Sequence, residues 1–198
     1  MPPDSLLPLV AFVAVSTVSP GGATTLATAS GAHFGFRRSM PLLAGIAVGL
    51  ASLAAAAAAG LGAAILAAPP LRLAMQLAGT AYLLWLAWRL AVSGAPRLDG
   101  GIARPRSFAG GALLIWYNPK AWAVTLGAAA SFSGLASDPL ALGAILGLVF
   151  GLSAIAALSL WCAAGLALAR LLTSERQWRV LNGLLAAMLA LSIVPMWL

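Results

Sequence analysis

Two short polar stretches interrupt otherwise apolar helical sequence, and each couples a proline to groups that can hold a polar solute. They are Ser19-Pro20-Gly21-Gly22 and Asn118-Pro119-Lys120. Proline removes one backbone hydrogen bond from a helix and crowds the preceding turn, and two glycines then add backbone freedom. Such a break frees backbone groups, which at membrane depth is tolerated only where protein or a water-filled cavity satisfies them. Thr24 recurs with Thr17 and Thr28 on one side of the helix that carries the first stretch, with Ser16 and Thr25 nearby. These hydroxyls and freed groups can line a site, or they can form a kink in which the hydroxyls bond back to their own helix. The residues alone leave both readings open.

Lys120 is the one formal charge that falls deep in an apolar stretch, flanked by Trp116, Tyr117 and Trp122. A charge at the bilayer centre costs at least ~2.5–3.5 kcal/mol on insertion scales. In a solvated cavity the ammonium could meet a carboxylate or take part in charge coupling. Alternatively, the helix starts nearer Ile115 than Phe108, and Lys120 snorkels to the interface between aromatic anchors.

The remaining chemistry is sparse. The four acids, Asp4, Asp99, Asp138 and Glu175, all fall near loops, so neither a buried acid–base pair nor an acidic pocket for a cationic substrate is expected. One histidine and one cysteine, with no nucleotide-binding loop, point away from a metal site, a bound cofactor and an enzyme. Cys162 reads as a small packing residue. Gln76, Gln177 and Asn182 read as helix-end or interhelical hydrogen bonders, and Trp161, Trp178 and Trp197 as interfacial anchors.

The elements that must position these groups are membrane helices. Of 198 residues, 62% are hydrophobic and 8% charged, and the mean hydropathy is +1.01. Soluble domains carry about 25% charged residues. No Asp, Glu, Lys or Arg lies between Asp4 and Arg37, Arg38 and Arg72, or Asp138 and Arg170, nor from Val180 onward. Each stretch can supply a span of about 20 apolar residues. An all-α integral membrane protein is expected, with six transmembrane helices at about 6–29, 40–67, 71–93, 108–131, 139–168 and 179–197. Loops are expected at Gly31–Ser39 and Ser93–Ser107, with a stop at Pro69-Pro70. Leu6 opens the first span rather than a cleaved signal peptide, because no basic residue precedes it.

The net charge of +7 comes from loop arginines, not from a nucleic-acid-binding face. Arg37, Arg38, Arg89, Arg97, Arg104, Arg106, Arg170, Arg176 and Arg179 fall in the loops after the odd-numbered spans, counted to their flanks, and Arg72 alone falls on the other face. The positive-inside rule then places both termini outside.

Pro41 to Leu50 aligns with Pro139 to Leu148, matching a proline, two glycines and two leucines. At nearly the same offset Pro20 falls opposite Pro119. The expectation is a single transmembrane domain over 1–198, built of half-repeats at about 1–95 and 105–198. With three spans each, the second half is inverted relative to the first, as in many secondary transporters. Gly143, Gly147 and Gly151, matched by Gly45 and Gly49, form a four-spaced stripe for close helix packing.

The chain resembles the LysE/RhtB family of amino-acid exporters over nearly its whole length. The resemblance rests on Ser19-Pro20-Gly21-Gly22, on Ser30-Gly31 through Phe34-Gly35-Phe36-Arg37-Arg38, on Gly45 and Gly49, on Leu77-Ala78-Gly79-Thr80-Ala81-Tyr82-Leu83-Leu84-Trp85-Leu86-Ala87-Trp88, and on Asn118-Pro119-Lys120-Ala121-Trp122. Where the family pattern usually reads Thr-Pro-Gly-Pro, this chain has Ser19 and Gly22 at the outer positions. The resemblance implies an inner-membrane exporter of amino acids or related metabolites, driven by the proton motive force without ATP. Its partners would be the lipid bilayer, a small-molecule substrate and a coupling proton, and a homo-oligomer is compatible with it. The absence of a deep acid points to a neutral substrate, whose carboxylate could meet Lys120 or freed N–H groups. An ion or metal exporter, or a membrane assembly protein without transport activity, are the competing readings.

Overall fold

Apolar side chains cover the outside of this chain as well as its interior. Leu7 is 75% exposed and Leu140 78%, and Leu148, Leu160 and Leu171 are exposed too. A water-soluble domain rarely shows so continuous an apolar surface; in lipid it is solvated.

The computed structural model describes residues 6–60, 69–92, 107–191 and 193–194. The described chain forms α1 (Leu6–Val18), α2 (Gly22–Phe34), α3 (Phe36–Ala58), α4 (Pro69–Ala91), α5 (Phe108–Trp116), α6 (Pro119–Ser131), a 3-10 turn (Ser133–Leu135), α7 (Pro139–Leu171) and α8 (Glu175–Leu191). Two of these, α3 and α7, are each long and apolar enough to cross a membrane. α1 and α2 pass the same test as a pair bent by 57°.

Several expected boundaries are corrected. The first helix is two helices: Pro20 has no N–H to offer, and α2 restarts at Gly22 with the Gly21 N–H accepted by Thr24 Oγ1 at 2.8 Å. The fourth helix is likewise two, because Asn118 ends the interruption as the N-cap of α6, its Oδ1 accepting from Lys120 N at 3.1 Å, with proline in the first turn. The loop expected at Gly31–Ser39 is helix on both sides of Gly35. That residue turns the chain at φ 78°, a conformation open to glycine, so Arg37 and Arg38 lie in the first turn of α3. Pro69-Pro70 begins α4 rather than only ending its predecessor, since proline suits a helix start, where the N–H has no partner anyway. The last helix starts at Glu175: Ser174 Oγ accepts from Gln177 N at 3.3 Å, while Gln177 Oε1 accepts from Thr173 N and Ser174 N, a reciprocal cap. The expected loop over 93–106, the end of the second helix over 61–68 and Trp197 lie outside the described residues.

The core sits where α3 and α7 cross. Leu42, Leu43, Ile46, Leu53, Leu146 and Phe150 are buried there. Gly143 and Gly147 bring α7 against Ala55 and Ala51 of α3, and Gly151 meets Ala51. Gly45 and Gly49 are used differently: they meet the backbone of Phe108 and Ala112 on α5. The glycines aligned between the two halves therefore pack against non-equivalent partners. A second close approach carried no periodic signal. Gly31 of α2 lies against the Cys162 carbonyl and Gly165 of α7 against the Thr28 carbonyl. Cys162 is buried there as a packing residue.

Candidate functional site

A helix break leaves carbonyls without intrahelical donors, and at the first break side chains from the second half of the chain supply them. Trp161 Nε1 on α7 donates to Val18 O at 3.0 Å. Lys120 Nζ on α6 donates to Ser19 Oγ at 2.9 Å and to Pro20 O at 3.2 Å, with Ser19 O at 3.5 Å. Ser19 Oγ itself donates to Ser16 O at 2.9 Å. At the second break Trp122 Nε1 donates to Trp116 O at 2.8 Å, and Trp116 Nε1 reaches Ser52 Oγ of α3 at 3.2 Å.

Between the two breaks lies a cavity of about 70 Å³, room for a few waters or a solute of that order. Its polar end is formed by Ser19, Gly21, Gly22, Thr24, Asn118 and Lys120, with Ser16 and Thr17 beside them. Among the described residues no acid, histidine, cysteine or tyrosine lines it. Among them Lys120 is the only charge on its wall, and its ammonium stays half-buried among oxygens. The third contact, at 3.5 Å, is long for a hydrogen bond and is the weakest of the three.

Of the residues singled out in the sequence, Ser19, Gly21, Gly22, Thr24, Asn118 and Lys120 come together around this cavity. Pro20 lies at the exposed margin of the break and contributes its carbonyl to Lys120. Pro119 holds the first turn of α6. Most of the surrounding hydroxyls bond to their own helix: Ser16 to Phe12 O, Thr17 to Val13 O and Thr28 to Thr24 O. Thr25 Oγ1 is buried with no partner among the described residues. The kink and the cavity are thus both present, and Ser16, Thr17, Ser19 and Thr24 belong to both.

Three contacts were not legible in the sequence. Trp161, expected in an interfacial belt, instead caps the first break. Trp178, also expected there, is buried and packs on His33, with ring centroids 5.3 Å apart. His33 Nε2 bonds Asn182 Oδ1 at 2.8 Å, joining α2 to α8. Asn182 was expected as an interhelical hydrogen bonder and is one, but nothing local pairs residues 149 positions apart.

A family model described as LysE type translocator matches residues 14–192. Among characterised proteins the chain is similar to the cysteine/O-acetylserine efflux proteins of Escherichia coli (strain K12), Escherichia coli O9:H4 (strain HS) and Shigella sonnei (strain Ss046). Each is 32% identical over 121 residues. The matched region is 61% of this chain and 61% of each relative's length. No solved structure matches the chain.

Proposed function

The chain belongs to the LysE type translocator family, and on that premise we propose that it exports neutral amino acids or closely related small metabolites across the inner membrane. The observation that carries this reading is Lys120 Nζ, held on Ser19 Oγ and Pro20 O on the wall of a cavity shared by two broken helices. An exporter has to bind a zwitterion and then let it go. The Lys120 ammonium, whose 3.5 Å contact to Ser19 O is weak enough to exchange for an anion, and the N-terminus of α2 suit the carboxylate, and the carbonyls of the first break suit the ammonium. A second positive charge on the substrate would find no acid on this wall, which disfavours lysine and arginine. The relatives are named for cysteine and O-acetylserine, neither of which carries a side-chain charge.

The proposed frame is six spans in two inverted halves, each a broken helix followed by a long helix and a third: α1–α2, α3 and α4, then α5–α6, α7 and α8. Rocking of one half against the other would open the cavity to each side in turn, with the proton motive force as the drive. The element order supports this frame; the unequal use of the aligned glycines does not, since Gly45 and Gly49 meet α5 whereas Gly143 and Gly147 meet α3.

The test is efflux per folded protein for two variants. Lys120→Met removes the costly charge, so it should insert and fold normally yet lose most transport. Lys120→Arg should retain a small part, because a planar guanidinium does not replace a compact ammonium between Ser19 and Pro20. Near-normal efflux by Lys120→Met would remove Lys120 from the site.

A further inference from the structure

The cavity takes its polar groups from the two helix breaks and the turns beside them, and only apolar ones from α7. From α7 it is lined by Phe150, Ala154 and Leu158, spaced four apart and so on one face of the helix, over roughly 12 Å of its axis. Along the helix the face runs large, small, large. Ala154 leaves a notch one helical turn long between a leucine and a phenylalanine. All three side chains are buried, Phe150 completely.

The helix that carries this face has little room to retreat. Gly147 and Gly151 hold its backbone on Ala51 and Ala47 of α3, and Gly165 holds it on Thr28 of α2. Close-packed interiors give by small amounts only. A longer solute cannot be accommodated by moving α7 away without breaking these contacts.

We propose that Phe150, Ala154 and Leu158 form the seat for the substrate's side chain, with Ala154 as its floor between the two larger residues, and that this seat restricts the protein to amino acids with small uncharged side chains. The inference rests on the reading of Ser19 to Gly22 and Lys120 as the site for the substrate's charged groups, and it adds the size of the side chain to that reading. None of the three residues carries a functional group, so selectivity comes from volume: apolar pockets discriminate by about tenfold or more for each methylene that does not fit.

The experiment is uptake of labelled glycine, alanine, leucine and phenylalanine by proteoliposomes containing the purified full chain, with each rate divided by the amount of monodisperse, folded protein. The wild type should move alanine at least about tenfold faster than leucine. Phe150→Leu should narrow that ratio severalfold by speeding leucine, and Phe150→Ala should narrow it further. Ala154→Val should act in the opposite direction, slowing alanine more than glycine. It changes only two methyl groups, so it keeps the test decisive if Phe150→Ala does not fold. A wild type that moves leucine as fast as alanine, or variants that fold and keep the wild-type ratios, would overturn the size seat while leaving amino-acid export in place. A wild type that moves no amino acid overturns both.

Discussion

A Cβ at Gly21 would lie 3.3 Å from Lys120 Nζ and 3.6 Å from its Cδ. The obstacle is the far end of a flexible side chain, so Gly21→Ala should fold with little loss of stability while pushing the ammonium off Ser19. Efflux should fall severalfold with the melting temperature almost unchanged; equal efflux would show that Lys120 works from another position. Its neighbour behaves differently. Gly22 is the first residue of α2, where an N–H has no intrahelical partner and proline is favoured. Gly21 before it is already extended, at φ 179° and ψ −175°, as a residue preceding proline tends to be. Gly22→Pro should therefore fold, gain up to about 1 kcal/mol from a stiffer unfolded chain, and change the affinity or selectivity of export rather than abolish it. A melting curve with parallel efflux checks this, and loss of folded protein would contradict it. The prolines, glycines and Asn118 announce themselves locally, and the energetic cost of a deep lysine singles out Lys120. Trp161, Phe150 and Ala154 do not, because an apolar residue in a charge-free helix looks the same whether it faces lipid, core or cavity.

At the scale of elements, the glycines that matter are those where two backbones meet. A side chain at Gly45 would run into the Phe108 carbonyl, and one at Gly165 into the Thr28 carbonyl. Gly45→Leu and Gly165→Leu should cost on the order of 1–3 kcal/mol or more through forced separation of packed helices, seen as a lower melting temperature in detergent. Gly127→Ala and Gly183→Ala, where an added Cβ meets nothing within 4 Å, should leave it unchanged. Equal effects at both kinds of position would contradict the packing described. The four-spaced stripe announced close packing of α7 without naming its partner, whereas the α2–α7 contact through Gly31 and Gly165 uses single glycines with no periodic partner. Gly35 shows the same limit. Gly31–Ser39, with His33, Gly35, Arg37 and Arg38, reads as a loop, yet one glycine at positive φ turns α2 directly into α3.

At the scale of the whole molecule, orientation follows from charge. Arg37 and Arg38 open α3, Arg89 lies over the Trp85 ring at 5.5 Å near the end of α4, and Arg170 closes α7. Placing these ends in the cytoplasm puts both termini outside. Single cysteines at Ser93 and Ser107, in a Cys162→Ala background, should resist a membrane-impermeant reagent in intact cells; strong labelling there would invert the protein. The helical class and the membrane setting were legible from composition alone, because only lipid can solvate so much exposed leucine. Which carbonyls meet which side chains was not legible, because those choices join residues about 100 positions apart.

The central claim is that two broken helices and one lysine form a site for a neutral zwitterion. Its most direct test is counterflow in proteoliposomes containing the purified protein, preloaded in parallel with labelled alanine, serine, cysteine, lysine and arginine. The account predicts specific exchange of the neutral amino acids, abolished by Lys120→Met, and little or none of the cationic ones. Faster exchange of lysine or arginine than of any neutral amino acid would contradict it.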